Sequence, residues 1–467
     1  MNDILLTGAA EIARRIKAGL LDPVDVIDAH IARIQAVNPR INALIIPMFD
    51  EARQQARNAA DRIAQGNTDD LPPLYGVPIT IKDCWPIQGV RSTGGSIYHA
   101  DTIADRDAPV VKRLKEAGAI ILGKTNLPDM CWSGDTVNPI FGRSRNPHAP
   151  KRTTGGSSGG EGAIIAAGGS PLGLGSDIAG SVRHPAAACG CVSLKPTGGR
   201  VPNDDHIPMP PPAIATWNNA GPMARRVEDL ALALSILSDS PVRDFREIAL
   251  GGRKVTVFIN RYFFFMSDKV REAVAMAAGA LGAAGMTIER NDRLPLLQSA
   301  LYYLGNFEKV GANRAFEAAL GGGKQINYAK EYWRNLRRDG RISPEVLTHA
   351  LTFRTAGWLL SKIGFGRRDR LERNREKVIE QMGDVLLLPI LLTPASRHSW
   401  TYWTPIAPPY SFLFNSMNLP AAVVPVSKTS SGLPIAVQIV GRPDDDEMVL
   451  AVAAELERVF GGWQIAE

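Results

Sequence analysis

The chain has 467 residues, of which 45% are hydrophobic and 21% charged, with a net charge of +6. These figures fit one large or two average globular domains and exclude a disordered, collagenous or disulfide-scaffold protein. Its densest basic run, Arg367, Arg368, Arg370, Arg373 and Arg375, is interleaved with Asp369, Glu372 and Glu376, which reads as a solvated helix face and not as a nucleic-acid or anionic-membrane patch.

Cys84, Cys131, Cys189 and Cys191 show no C-x-x-C spacing. Cys189 and Cys191, which flank one glycine in an apolar context, read as buried free thiols; this suits a reducing cytosol, and no metal or cofactor is expected. The opening Met1-Asn2-Asp3-Ile4 lacks the basic and apolar segments of a secretory signal, and the longest apolar run, Val385 to Thr393, is too short to span a bilayer. The expectation is a cytoplasmic protein without an integral membrane segment or a nucleic-acid partner.

Residues 1–65 read as a helical layer. Ala9, Ile12, Ala13, Ile16 and Leu20 recur at helical spacing, Pro23 opens a second helix through Val26, Ile27, Ile31 and Ile34, and a polar third helix covers 50–64. From Leu74 the period changes: Val77, Ile79 and Ile81 alternate with Pro78 and Thr80, a strand that ends at Lys82, with Asp83 expected on the opposite face. An amphipathic helix at 108–117 and a buried strand at 119–124 follow, and this alternation implies α/β layers.

Residues 154–185 are dense in glycine and serine. That composition is costly inside a helix or strand and belongs where backbone turns sharply or approaches a ligand. Two serine-bearing turns, around Ser157 and around Ser181, flank a small-residue helix at 161–167. Downstream, strands are expected at 192–196, 255–259, 385–392, 421–426 and 436–441, and helices at 227–237, 268–284, 412–417 and 446–459. Residues 300–380 read as irregular helices carrying Tyr302, Tyr303, Phe307, Trp333, Phe353 and Trp358, a cap on the substrate side. No repeat or linker interrupts the chain. One domain is expected, with a core at 66–230, a variable region at 240–400 and a closing part of the core at 401–467.

A seryl hydroxyl needs a base before it attacks. None of the seven histidines lies in a G-x-S-x-G context, and His184, three residues from Ser181, is poorly placed to reach it. G-G-S-S-G-G lacks the G-K-[ST] of a phosphate-binding loop. Lysine is the alternative. Its ordinary pKa of about 10.4 keeps it protonated, but burial lowers a lysine toward ~7–8, where base catalysis is efficient. Lys82, at the end of an apolar strand, fits that requirement.

At these residues the sequence resembles the amidase signature enzymes. G-G-S-S-G-G-E-G (155–162) and G-S-D-I-A-G-S-V-R-H-P (175–185) resemble the family's serine–glycine signature, and G-V-P-I-T-I-K-D (76–83) its lysine strand. G-K-T-N-L-P (123–128), F-G-R-S-R-N-P (141–147), L-K-P-T-G-G-R-V (194–201), G-P-M-A-R-R-V-E-D-L (221–230) and L-P-I-A-V-Q-I-V-G-R-P (433–443) extend the likeness, which is nearest to the fatty acid amide hydrolase branch and thinnest over 240–400.

The resemblance implies a single α/β/α domain with a mixed, mostly parallel central sheet. It implies hydrolysis of an amide, an ester being a second candidate, by a Ser-cis-Ser-Lys triad: Ser181 as nucleophile, Ser157 after a cis peptide as bridge, Lys82 as base. Backbone N–H groups of Ile178, Ala179, Gly180 and Ser181 are expected to hold the oxyanion, with Ala179 standing where many members carry glycine. Met130, Cys131 and Ser157 are expected to contact substrate, Ser133 to bond Lys82, Ser158 to make a structural hydrogen bond, and Asp177 and Arg183 to pair.

The substrate reads as an aryl or long-chain acyl amide, with the aromatics of 300–360, Trp400, Tyr402 and Trp403 as candidate wall residues and 262–266 as a candidate lip or membrane contact. A homodimer is compatible with this reading. The alternatives are a glutaminase-like component of a tRNA-dependent amidotransferase, an acyltransferase using the same acyl-enzyme, and a non-hydrolytic binding protein, the last disfavoured by the complete triad.

Overall fold

The computed structural model describes residues 3–66, 70–259, 266–398 and 411–466. Trp400, Tyr402 and Trp403, and residues 262–265, lie outside them; Met266, inside them, is buried.

The N-terminal helices are α1 (Ala9–Lys17), α2 (Pro23–Ile41) and α3 (Phe49–Ala64). Pro23 occupies the first turn of α2, where its missing N–H costs nothing, and the Asp22 side chain accepts from Val24 N at 2.7 Å. Between α2 and α3 lies β1 (Leu44–Pro47), a strand hidden in a stretch that reads as helical. Then follow β2 (Pro78–Lys82), α4 (Pro109–Glu116), β3 (Ile120–Thr125), the short ribbon β4 (Val137–Asn138) and β5 (Gly142–Arg143), α5 (Gly159–Ala166), β6 (Leu172–Asp177), α6 (Arg183–Cys189), β7 (Val192–Lys195), β8 (Asn219–Ala224) and α7 (Val227–Leu237). The remainder is β9 (Lys254–Val257), α8 (Asp268–Ala283), β10 (Thr287–Arg290), α9 (Leu296–Lys309), α10 (Ala312–Leu320), α11 (Tyr328–Leu336), α12 (Pro344–Lys362), α13 (Arg368–Gln381), β11 (Val385–Pro389), α14 (Leu413–Ser416), β12 (Ala421–Lys428), β13 (Pro434–Gly441) and α15 (Asp446–Phe460).

Eleven strands form one sheet in the order β1-β3-β2-β6-β8-β7-β12-β13-β11-β9-β10. It is mixed, as expected, but parallel pairing does not predominate. β2 pairs parallel with β3 and β6, and β9 with β10 and β11; the other six neighbour pairs are antiparallel. The reason is topological. β8 inserts between β6 and β7 and runs against both, and β12 and β13 are joined by a turn too short for a parallel crossover.

Alternation along the strands builds three layers. On one face Ile79, Ile81, Leu172, Leu174, Val385 and Leu387 pack with α1, α4, α7, α8 and α15. On the other, Ile120 and Leu122 meet α2, α3, α5 and α6, while Leu386, Leu388 and Val440 meet α13 and α14. A separate aromatic cluster is formed by α9, α10 and α12 with Trp132 and Trp217.

In β6 glycine makes room for a neighbour. A Cβ on Gly173 would stand 2.0 Å from Glu161 Oε2 of α5. α5 itself is buried on every side, which explains its small residues. The arginine-rich α13 is the solvated helix expected, with pairs Arg368–Glu372 and Arg373–Asp369 at its surface. Among the described residues no helix is long and apolar enough to cross a membrane.

Candidate active site

β2, β3 and β6 are parallel, so their carboxyl ends share one edge of the sheet, the usual place for a site in an open α/β sheet. Lys82 ends β2 and is fully buried. Its Nζ is hydrogen-bonded to Ser157 Oγ at 2.6 Å and to Ser176 Oγ at 2.9 Å. Ser157 follows a cis peptide from Gly156 and leads into α5; Ser181 closes the loop after β6 and leads into α6. The two turns are stitched together: Ser158 N donates to Ser181 O at 3.0 Å, and Ser176 N donates to Ser158 Oγ at 3.3 Å. Ser158 thus makes structural hydrogen bonds. Of these four serines Ser181, 8% exposed, is the one that opens onto a cavity. Among the described residues its Oγ makes no hydrogen bond.

The loop bearing Ser181 is held by a buried charge pair. Arg183 donates through Nε to Asp177 Oδ2 (3.0 Å) and through Nη2 to Oδ1 (2.9 Å). Its other contacts are Ser411 O, Gln438 Oε1 and Asn415 Oδ1. Burial alone would raise the Asp177 carboxyl, but the charge and hydrogen bonds of Arg183, with those of Asn415 and Gly180, hold it well below the usual carboxylate range.

This arrangement corrects the four-donor cradle. Gly180, at φ +104°, turns its N–H to Asp177 Oδ1 at 2.7 Å. The N–H groups of Ile178, Ala179 and Ser181 make no hydrogen bond among the described residues. Ala179 is not among the residues with positive φ, so its methyl group costs no strain.

Two other expectations fail. Ser133 does not bond Lys82; its Oγ accepts from Asp135 N at 3.1 Å, and Ser176 takes the place. Met130 is 1% exposed and packs in the aromatic cluster behind the cavity wall, whereas Cys131 and Ser133 do line the cavity.

That cavity measures about 400 Å³, the size that holds a small organic ligand. Trp132, Tyr303, Phe307, Phe353, Leu391 and Phe412 form its apolar wall. Tyr302 is buried in the cluster behind it, and Trp333 and Trp358 are exposed on the cap's outer surface. Two carboxylates at the rim, Asp135 and Glu345, both pair with Arg143. The wall described contains no lysine or arginine.

The sequence matches the family described as Amidase over residues 25–450. The chain belongs to the amidase family. It is 30% identical to fatty-acid amide hydrolase 2 of Homo sapiens, over 98% of this chain and 90% of that protein. It is 34% identical to the A component of the glutamyl-tRNA(Gln) amidotransferase of Roseiflexus sp. (strain RS-1), over 98% and 97%. Its fold is similar to the solved 6-aminohexanoate cyclic dimer hydrolase, with a TM-score of 0.80, 28% identity and 99% of each chain covered. This amidase is an amide-hydrolysing enzyme.

Within the amidase site, His184 is no rival base. Its Nε2 lies 3.0 Å from Ser411 Oγ, and burial, with the charge of Arg183, lowers its pKa to about 4. Ser176 and Asn415 were not legible in the sequence. Ser176 stands inside the G-S-D run of β6, where glycines break the strand alternation. Asn415, which donates to Asp177 O at 2.8 Å, comes from a segment distant in sequence and carries no local signal. Tyr303, one of the aromatics expected in the cap, lines the cavity and donates its hydroxyl hydrogen to Ile178 O at 3.2 Å.

Proposed function

We propose that this amidase cleaves amides with an aryl or apolar acyl group through an acyl-enzyme on Ser181, with Ser157 and Lys82 relaying the proton. Lys82, as the free amine, takes the proton of Ser157 while Ser157 takes that of Ser181. Ser181 Oγ attacks the amide carbonyl, and the N–H groups of Ile178, Ala179 and Ser181 receive the oxyanion. The relay returns the proton to the leaving nitrogen, and water repeats the sequence to release the acid. One observation carries this reading: the 2.6 Å contact of Lys82 Nζ with Ser157 Oγ, both side chains buried.

The acyl preference rests on the aromatic wall. Esters with the same acyl group fit the same steps, and an amine in place of water would make the enzyme an acyltransferase. The amidotransferase relative at 34% identity favours a second reading, a glutaminase working in a complex. A glutamine substrate brings a charged α-carboxylate, and the described wall offers it no cation.

The test is hydrolysis of aryl, short aliphatic and long-chain acyl amides beside glutamine. Aryl and apolar acyl amides are expected to lead in kcat/KM, and Lys82→Ala and Ser157→Ala each to lose ~10²–10⁴-fold or more. Preference for glutamine, or full activity in Lys82→Ala, would refute the reading.

A further inference from the structure

Three side chains that the relay does not use meet beside it. Cys84, two residues past Lys82, is fully buried; Cys131 lines the cavity; His206 sits on the loop after β7. Cys84 Sγ, Cys131 Sγ and a ring nitrogen of His206 lie within 4.8 Å of one another. A tetrahedral zinc with Zn–S of ~2.3 Å and Zn–N of ~2.0 Å spaces its ligands ~3.5–3.8 Å apart, so a contraction of at most about 1.3 Å closes the set.

The histidine is set up as a ligand. It is 4% exposed, and its ring stands edge-on to Trp85, with centroids 4.9 Å apart. Nδ1 lies 2.9 Å from Pro208 O, and a ring nitrogen facing a carbonyl must carry the hydrogen. Nε2 therefore presents its lone pair, and it is buried without a hydrogen-bond partner among the described residues. An imidazole oriented by N–H donation to a backbone carbonyl is the common arrangement of metal-bound histidine. The thiols' hydrogen bonds to groups outside the trio are long, Cys84 Sγ to Ser176 Oγ at 3.5 Å and Cys131 Sγ to Ile207 O at 3.8 Å.

We propose that Cys84, Cys131 and His206 bind a thiophilic divalent metal ion such as zinc, and that its occupancy inhibits the enzyme. On binding, the two thiols release their protons to solvent and coordinate as thiolates, with His206 Nε2 as the third ligand. The fourth position faces the cavity, because Cys131 is part of its wall. Inhibition follows from position, and this half rests on the function proposed above. Cys84 touches Ser176, which is bonded to Lys82, and a ligand in the fourth position occupies space meant for the acyl group.

Cobalt(II) is the probe, titrated into metal-free wild-type protein. The expected result is a thiolate-to-cobalt charge-transfer band with tetrahedral d–d bands, saturating at one equivalent. Cys84→Ala and His206→Ala are each expected to weaken binding at least tenfold. No such band, or one unchanged in both variants, overturns the site.

A second measurement needs no variant. Saturating zinc is expected to slow iodoacetamide alkylation of Cys131 at least tenfold, read by peptide mass spectrometry, and an unchanged rate likewise overturns the site. Zinc is also expected to inhibit amide hydrolysis reversibly, with release by a chelator and at least tenfold less sensitivity in His206→Ala relative to its own metal-free rate. A saturated cobalt spectrum with undiminished hydrolysis overturns the inhibitory half. Metal-free protein inert toward every amide counts against the proposed function and leaves the spectroscopic test of the site intact.

Discussion

Three buried carboxyl groups flank Lys82, and each is satisfied by something else. Asp83 pairs with Lys124 at 2.6 Å, both side chains fully buried, and Asp177 pairs with Arg183. Glu161 accepts from Thr80 Oγ1 at 2.6 Å and Thr125 Oγ1 at 2.8 Å. Among the described residues Lys82 makes no ion pair, and its partners are hydroxyls.

Glu161 supplies a prediction at this scale. Burial pushes its carboxyl up from an ordinary 4.5 to about 7, against the two threonine hydrogen bonds. The folded protein therefore binds this proton more tightly than the unfolded chain. The resulting stability is complete below about 4.5 and is lost as pH rises toward about 7, a loss on the order of 2–3 kcal/mol. Glu161→Gln should flatten this part of the stability–pH curve, measured by urea unfolding at several pH values. A slope unchanged in the variant would assign it to other groups.

At the scale of elements, β6 and α5 are fitted to each other through Gly173. Gly173→Ala places its Cβ against Glu161 and should cost about 1–3 kcal/mol by overpacking, seen as a lower urea midpoint with an unchanged slope. A neutral substitution would show that α5 moves freely against the sheet.

The same strand shows what the sequence made legible. Helices with sustained apolar spacing, such as α7 and α15, and the alternating β2 were readable, and the signature motifs located Lys82, Ser157 and Ser181. β6 and β8 were not readable as strands. Both are buried on two faces and hold glycine or proline, L-G-L-G-S-D and N-A-G-P-M-A, which read locally as turns. The direction of Gly180's N–H, the burial of Met130 and the place of Ser176 depend on partners brought in by the tertiary fold, which no local pattern encodes.

At the scale of the whole molecule, the sheet and the aromatic cap divide the work. The sheet edge carries Lys82, Ser157 and Ser181 on strand ends and helix starts, while α9 and α12 supply Tyr303, Phe307 and Phe353 to the cavity. Truncating the cap should therefore change which amide is accepted and not the chemistry. Phe353→Ala is expected to raise KM for aryl amides about tenfold, the value of a lost aromatic contact of ~1–2 kcal/mol, with kcat nearly unchanged. A drop in kcat alone would place this ring's contribution in the transition state instead of in acyl binding.

The central claim is that Ser181 becomes covalently acylated. A fluorophosphonate probe, followed by peptide mass spectrometry, reads this directly. The proposed mechanism predicts one phosphonyl group per chain, carried on the Ser181 peptide and abolished in a folded Ser181→Ala variant. A label on another residue, or undiminished labelling of that variant, would contradict it.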